Sequence, residues 1–173
     1  DALRLALCAG EHLDISCKSE YVDTILAQCI DEYKVLRTQY AVDPTSVTID
    51  PRMEHIIEQM FLRCYRDKCF EQAIGVALDT RRIDKVEEVM TTAIKNGRES
   101  ILGYTFNLCQ NARNITPREF RLSVIEVLVM RYGTLAEPDH SNVCYGLQYL
   151  NKPKETTDTL VRLLKGSIED ALL

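Results

Sequence analysis

Seven cysteines and three histidines are the residues of this 173-residue chain with the most reactive side chains. Their spacing argues against chemistry. Nucleophilic and metal sites need such groups clustered, yet His12, His55 and His140 are scattered. Cys8, Cys17, Cys29, Cys64, Cys69, Cys109 and Cys144 contain no C-x-x-C pair. His140 and Cys144 stand four apart and would share a helix face, but two ligands do not make a zinc site. Cys64 and Cys69 bracket a helix end. An odd cysteine count with several thiols on apolar faces suits a reducing compartment, where cysteine packs as a small hydrophobe. No phosphate-binding glycine loop is present. The expectation is therefore no catalytic residue, no metal and no cofactor.

The most conspicuous charged feature is Arg81-Arg82, inside Phe70–Met90, "FEQAIGVALDTRRIDKVEEVM". The pattern places both arginines in the last turn of a helix that begins near Phe70. There they would meet the negative end of the helix dipole and its unpaired carbonyls. Asp79, Asp84, Glu87 and Glu88 are close enough in sequence to pair with them. An inter-helix latch is the first reading, a partner contact the second and an anion site the third. Gly75 interrupts the same helix, at about 1 kcal/mol relative to alanine. With Ala73 and Ala77 nearby it reads as a close backbone approach to a neighbour, and otherwise as a hinge.

The elements that must position these residues are helices. Val22, Ile25, Leu26, Cys29, Tyr33, Leu36 and Tyr40 keep three-four spacing over Ser19–Tyr40, with Ser19 as cap. The turn-rich stretch 41–49, "AVDPTSVTI", reads as a surface loop, with a short strand as the next choice. Asp50 caps a helix whose first turn holds Pro51 and whose stripe runs Met53, Ile56, Ile57, Met60, Phe61, Cys64. Asp84 with Glu87 reads as a capping pair for another helix, closed by Gly97. Thr116 caps a helix over Pro117–Tyr132, apolar nearly all round and expected to be the most buried. That cap also explains "NIT" at 114–116 without glycosylation. Pro138 and Pro153 open two more helices, the second ending near Gly166, with "SIEDALL" starting another.

Helix starts near 20, 51, 70, 84, 98, 117, 138 and 153 predict an all-α fold, a solenoid of antiparallel helix hairpins across residues 1–173. A compact bundle is the alternative. Phe70, Ala73 and Ala77 match the second helix of a tetratricopeptide unit, so the rod is tetratricopeptide-like. The match is incomplete: Phe61 stands where a small residue belongs, and no proline closes the unit.

Composition limits the function classes. The chain is 46% hydrophobic and 27% charged, which argues for a folded globular protein. A net charge of −5 argues against nucleic acid as a partner. No apolar run is long enough to span a membrane. "DALRLALCAG" lacks a basic leader and reads as the tail of a helix, suggesting a chain that begins inside a larger protein.

The strings "SEYVDTILAQCID", "QAIGVALDTRRID", "VIEVLVMRY" and "PDHSNVCYGLQYLN" stand in this order in the chain. Together they resemble the N-terminal helical region of the largest non-ATPase subunits of the 26S proteasome regulatory particle, the non-ATPase regulatory subunit 1 family. The resemblance spans about Ala6 to Leu164. "ALDTRRID" at Ala77–Asp84 is its most specific part, and the 41–49 loop departs most. It implies a rod of helix hairpins that precedes a ring of proteasome/cyclosome repeats. The role it implies is non-catalytic scaffolding: other regulatory-particle subunits as partners, lid subunits foremost, in cytoplasm and nucleus. Self-association through the ends of a cut solenoid is a further expectation. A tetratricopeptide-like peptide-binding adaptor is the alternative function.

Overall fold

The computed structural model describes residues 19–43, 45, 47–111 and 117–171. Among them are eight α-helices and no strand: α1 (Glu20–Val42), α2 (Pro51–Arg66), α3 (Phe70–Asp79), α4 (Ile83–Lys95), α5 (Ser100–Asn111), α6 (Arg118–Gly133), α7 (His140–Tyr149) and α8 (Pro153–Ala171). The fold is all-α and solenoid-like in class, a succession of short helices in which α1 packs on α2, α2 on α3 and α3 on α4, and in which α6 packs on α7 and α7 on α8. The chain divides into two compact units, Asp1–Ile101 and Leu102–Leu173.

Helix starts follow local chemistry. The Ser19 side chain accepts from the Val22 N–H at 3.3 Å, and Asp50 accepts from the Arg52 N–H at 2.9 Å with Pro51 in the first turn. Helix stops share one device. At the ends of α2, α3, α4 and α7 a left-handed residue turns the chain: Lys68 (φ 57°), Arg81 (φ 54°), Gly97 (φ 70°) and Asn151 (φ 56°). The residue after each then donates its N–H back into the helix: Cys69 to Cys64 O, Arg82 to Ala77 O, Arg98 to Ala93 O and Lys152 to Leu147 O, at 2.9–3.0 Å. These bonds satisfy carbonyls the helix leaves open, and at three of the four corners the same residue leads directly into the next helix.

In the first unit, Val22, Ile25, Leu26, Cys29 and Tyr33 of α1 are buried, as are Met53, Ile56, Ile57, Met60, Phe61 and Cys64 of α2. Phe70, Ala73, Ile74, Ala77 and Leu78 of α3 and Val86, Val89, Met90 and Ala93 of α4 complete that core. Each large side chain buried this way contributes about 1.5–3 kcal/mol. In the second unit, α6 packs on α7 and α7 on α8. Phe106 meets the edge of Tyr149 with ring centroids 6.4 Å apart.

Several local expectations are revised. Helix α1 runs on to Val42, two residues into the expected loop; residues 47–50 are non-helical. Helix α8 passes through Gly166 without a break. Helix α6 is not the most buried. Only Val124, Ile125, Leu128 and Tyr132 are enclosed, and Met130 is 53% exposed. Continuous apolarity along a helix does not supply neighbours on every side. Thr116, His12, Cys8, Cys17 and the N-terminal decapeptide lie outside the described residues; the cap position of α6 falls on Pro117.

The close approach expected at Gly75 is absent: a Cβ built there meets nothing within 4 Å. Gly75→Ala is therefore expected to stabilise the chain by about 1 kcal/mol through helix propensity and a less flexible unfolded state. A denaturant titration reading a higher midpoint at unchanged slope would show it.

Candidate functional site: an internal charge cluster around Arg82

The arginine pair is split by the corner between α3 and α4. Helix α3 ends at Asp79, so both arginines lie past its last turn. Arg81 takes the left-handed corner position, and no ion pair of its side chain is found among the described residues. Arg82 follows as the residue that opens α4 and is 9% exposed. The role expected of the pair at the α3 terminus belongs to helix α1 instead. There Lys34 pairs with Asp79 at 2.9 Å, and Arg37 Nε donates to the Thr80 carbonyl at 3.4 Å.

The Arg82 guanidinium spends its donors on three helices. Nη1 donates to Glu54 Oε1 of α2 at 2.5 Å and to the Tyr33 hydroxyl of α1 at 2.9 Å. Nη2 donates to Glu58 of α2 at 3.0 Å, and Nε and Nη2 both reach the Asp84 carboxylate at 2.5–3.0 Å. Asp84 thus sits in the first turn of α4 as the partner of Arg82; the capping position is Arg82 itself, without a side-chain cap bond. Tyr33 donates on to Glu54 at 2.9 Å. Lys85, also buried, extends the cluster to Glu58 at 2.5 Å and Glu88 at 2.6 Å, and lies 5.4 Å from the Phe61 ring centroid.

The planar fork of arginine suits this task, because one cation engages several carboxylates and a hydroxyl in fixed directions. Its effects on acidity follow. The hydrogen bond to Asp84 holds Arg82 protonated against the cost of burial, and the same bond holds Asp84 below its ordinary value. Burial works against the Lys85 ammonium, but Glu58 and Glu88 outweigh it and raise its pKa. Burial pushes the Tyr33 phenol from 10.0 up to about 12, with Arg82 pulling the other way.

The Tyr33 shift carries a sign. The unfolded chain ionises this phenol near 10.0 while the folded chain holds the proton to about 12, so its stability contribution is present below pH 10 and fades from there to about pH 12. Urea midpoints should fall across that window, and Tyr33→Phe should remove part of the fall.

Among the described residues the cysteines and histidines form no three-ligand cluster. Burial pushes Cys29 up to about 12 and Cys64 and Cys109 up to about 11, keeping these thiols protonated. His55 is exposed. His140 and Cys144 do share a face, lining a shallow hollow with Tyr145 and Leu163. Among the described residues no group of three His, Cys, Asp or Glu side chains could hold a metal, and no helix is long and apolar enough to cross a membrane.

Reasoning from sequence reached Arg82 and Asp84 but missed Tyr33, Glu54, Glu58 and Lys85 as their partners. Tyr33 looked like one more member of an apolar stripe. Glu54 and Glu58 do flank the α2 stripe at helical spacing. Nothing local ties them to a cation 24 and 28 positions away.

Successive short helices, tied at one corner by a carboxylate-rich charge cluster, define an all-α, solenoid-like segment. The chain matches over residues 1–173 the family described as "26S proteasome subunit RPN2, N-terminal domain", and it belongs to that family. It is 38% identical over 176 residues to the 26S proteasome non-ATPase regulatory subunit 1 homolog B of Arabidopsis thaliana, covering 100% of this chain and 17% of the relative. Against 26S proteasome non-ATPase regulatory subunit 1 of Drosophila melanogaster, identity is 35% over 98% of this chain and 16% of the relative. The 26S proteasome regulatory subunit rpn2 of Schizosaccharomyces pombe is 23% identical over 100% of this chain and 17% of its own length. The chain thus spans about a sixth of the curated relatives it matches.

Proposed function

We propose that this segment is a non-catalytic scaffold of the 26S proteasome regulatory particle. It presents helix-hairpin surfaces to other subunits, lid subunits foremost, and so helps to hold lid and base together in support of ubiquitin-dependent degradation. It acts in cytoplasm and nucleus, with neither nucleic acid nor membrane as a partner. The observation that carries this reading is the family match along residues 1–173. The Arg82 cluster is consistent with it, since two buried cations held by four carboxylates and the Tyr33 hydroxyl tie α1, α2 and α4 together.

The peptide-binding reading has less support. A groove of about 500 Å³ lies among α1, α2 and α3, but its cation, Arg63, is paired with Asp23 at 3.0 Å rather than held ready for a peptide terminus. Affinity purification of the longer native protein tests the proposal. Lid and base subunits should co-purify in fixed ratio, and recovery free of proteasome subunits would refute it.

A further inference from the structure

The corner between α2 and α3 differs from the others in what its two closing positions carry. The bond from the residue after the left-handed position back into the helix brings those two side chains together, which is why apolar pairs often occupy them. The pairs are Ala77 with Arg82, Ala93 with Arg98 and Leu147 with Lys152 at three corners. At the fourth they are Cys64 and Cys69, joined by the Cys69 N–H to Cys64 carbonyl bond at 2.9 Å.

Both thiols also line the groove among α1, α2 and α3. Cys69 is exposed, whereas Cys64 is 6% exposed. Each now donates elsewhere, Cys64 Sγ to Met60 Sδ and Cys69 Sγ to the Asp67 carbonyl, both at 3.6 Å. Neither contact is strong, so rotation about the two Cα–Cβ bonds competes with little.

We infer that Cys64 and Cys69 form a thiol–disulfide exchange site, oxidised by low-molecular-weight disulfides to an intrachain bond that staples the α2–α3 corner. The exposed Cys69 thiolate attacks one sulfur of the small disulfide, forming a mixed disulfide and releasing one thiolate. Cys64, protonated at rest, then attacks Cys69 Sγ and passes its proton to the departing small thiolate, which leaves as the second thiol. Two protein thiols are oxidised and one small disulfide is reduced to two thiols. The division of labour follows exposure: Cys69 is open to the reagent, and Cys64 is enclosed but adjacent.

The test treats the folded chain with glutathione disulfide, blocks remaining thiols with N-ethylmaleimide, and digests with trypsin without reduction. Cleavage after Arg63, Arg66, Lys68 and Arg81 separates the two cysteines, so the bond appears as peptide 64–66 linked to peptide 69–81. That linked pair is the expected result. In Cys64→Ser the reaction should stop at a glutathione adduct on Cys69, and in Cys69→Ser Cys64 should stay reduced. A wild-type chain that halts at the Cys69 adduct, or joins Cys69 to another cysteine or a second chain, overturns the inference. So does oxidation of Cys64 in Cys69→Ser at the wild-type rate.

Discussion

Replacing Arg82 with alanine is expected to destabilise the chain by about 2–4 kcal/mol. Removing one member of a buried ionic network leaves the others desolvated without compensation, which is worse than losing the whole network. Here the loss would strip Glu54, Glu58 and Asp84 of their shared cation and the Tyr33 hydroxyl of a donor. The cost stays below that of a fully enclosed network, because the carboxylate side chains are 35–57% exposed and water screens them in part. In a domain of this size the thermal midpoint should fall by about 5–15 °C. Arg82→Lys should recover only part of this, since the single ammonium nitrogen cannot reproduce the planar fork whose three nitrogens reach three carboxylates and a hydroxyl. Arg81→Ala is the matched control. Its side chain has no ion pair among the described residues, so the change should stay within about 0.5 kcal/mol. Equal losses for the two arginines would refute the assignment of the latch to Arg82.

The second large effect is expected in the other unit. Gly146 lies on α7 where the helix meets α6, and a Cβ there would collide with Cγ2 of Val129, with Ile125 Cγ2 at 3.7 Å behind it. Valine is stiff about its first side-chain torsion, so the neighbour yields little. Overpacking of this kind costs about 1–3 kcal/mol, offset by up to about 1 kcal/mol of helix propensity, for a net loss of about 1–2 kcal/mol in Gly146→Ala. Val129→Ala in the same chain should relieve the clash, giving a coupling of about 0.5–2 kcal/mol in a double-mutant cycle. Independent, additive losses would mean that the two residues do not meet.

The two glycines show how far a sequence can be read. Gly75, with Ala73 and Ala77 two positions to either side in mid-helix, carries the usual local signs of close packing, yet its surroundings are open. Gly146 stands between a tyrosine and a leucine with no such sign, and it is the one against a neighbouring helix. Close approach is a property of two helices, whereas the local pattern describes one. Helix boundaries were legible for the opposite reason. Ser19, Asp50 with Pro51, Gly97 and Pro153 act through bonds within a few residues, and the helices begin and end beside them. Lys68, Arg81 and Asn151 were not legible as turning residues, because three of the four left-handed corners carry a residue other than glycine at about 1 kcal/mol or more.

The charge cluster lies between these cases. Arg82 and Asp84 are two residues apart and announce each other. Tyr33, Glu54, Glu58 and Lys85 join them only once α1 and α2 have folded against α4. A basic pair in a sequence therefore marks a place where charge must be answered, and the fold decides which arginine is answered from within. Here one is enclosed by carboxylates and the other turns the corner.

The scaffold role is tested most directly by the lid-to-base ratio of proteasomes whose only copy of the longer protein lacks this segment, measured by quantitative mass spectrometry of the purified particle. Base subunits are expected at normal stoichiometry with lid subunits depleted. A full complement of lid subunits, held as tightly as in the intact particle, would contradict it.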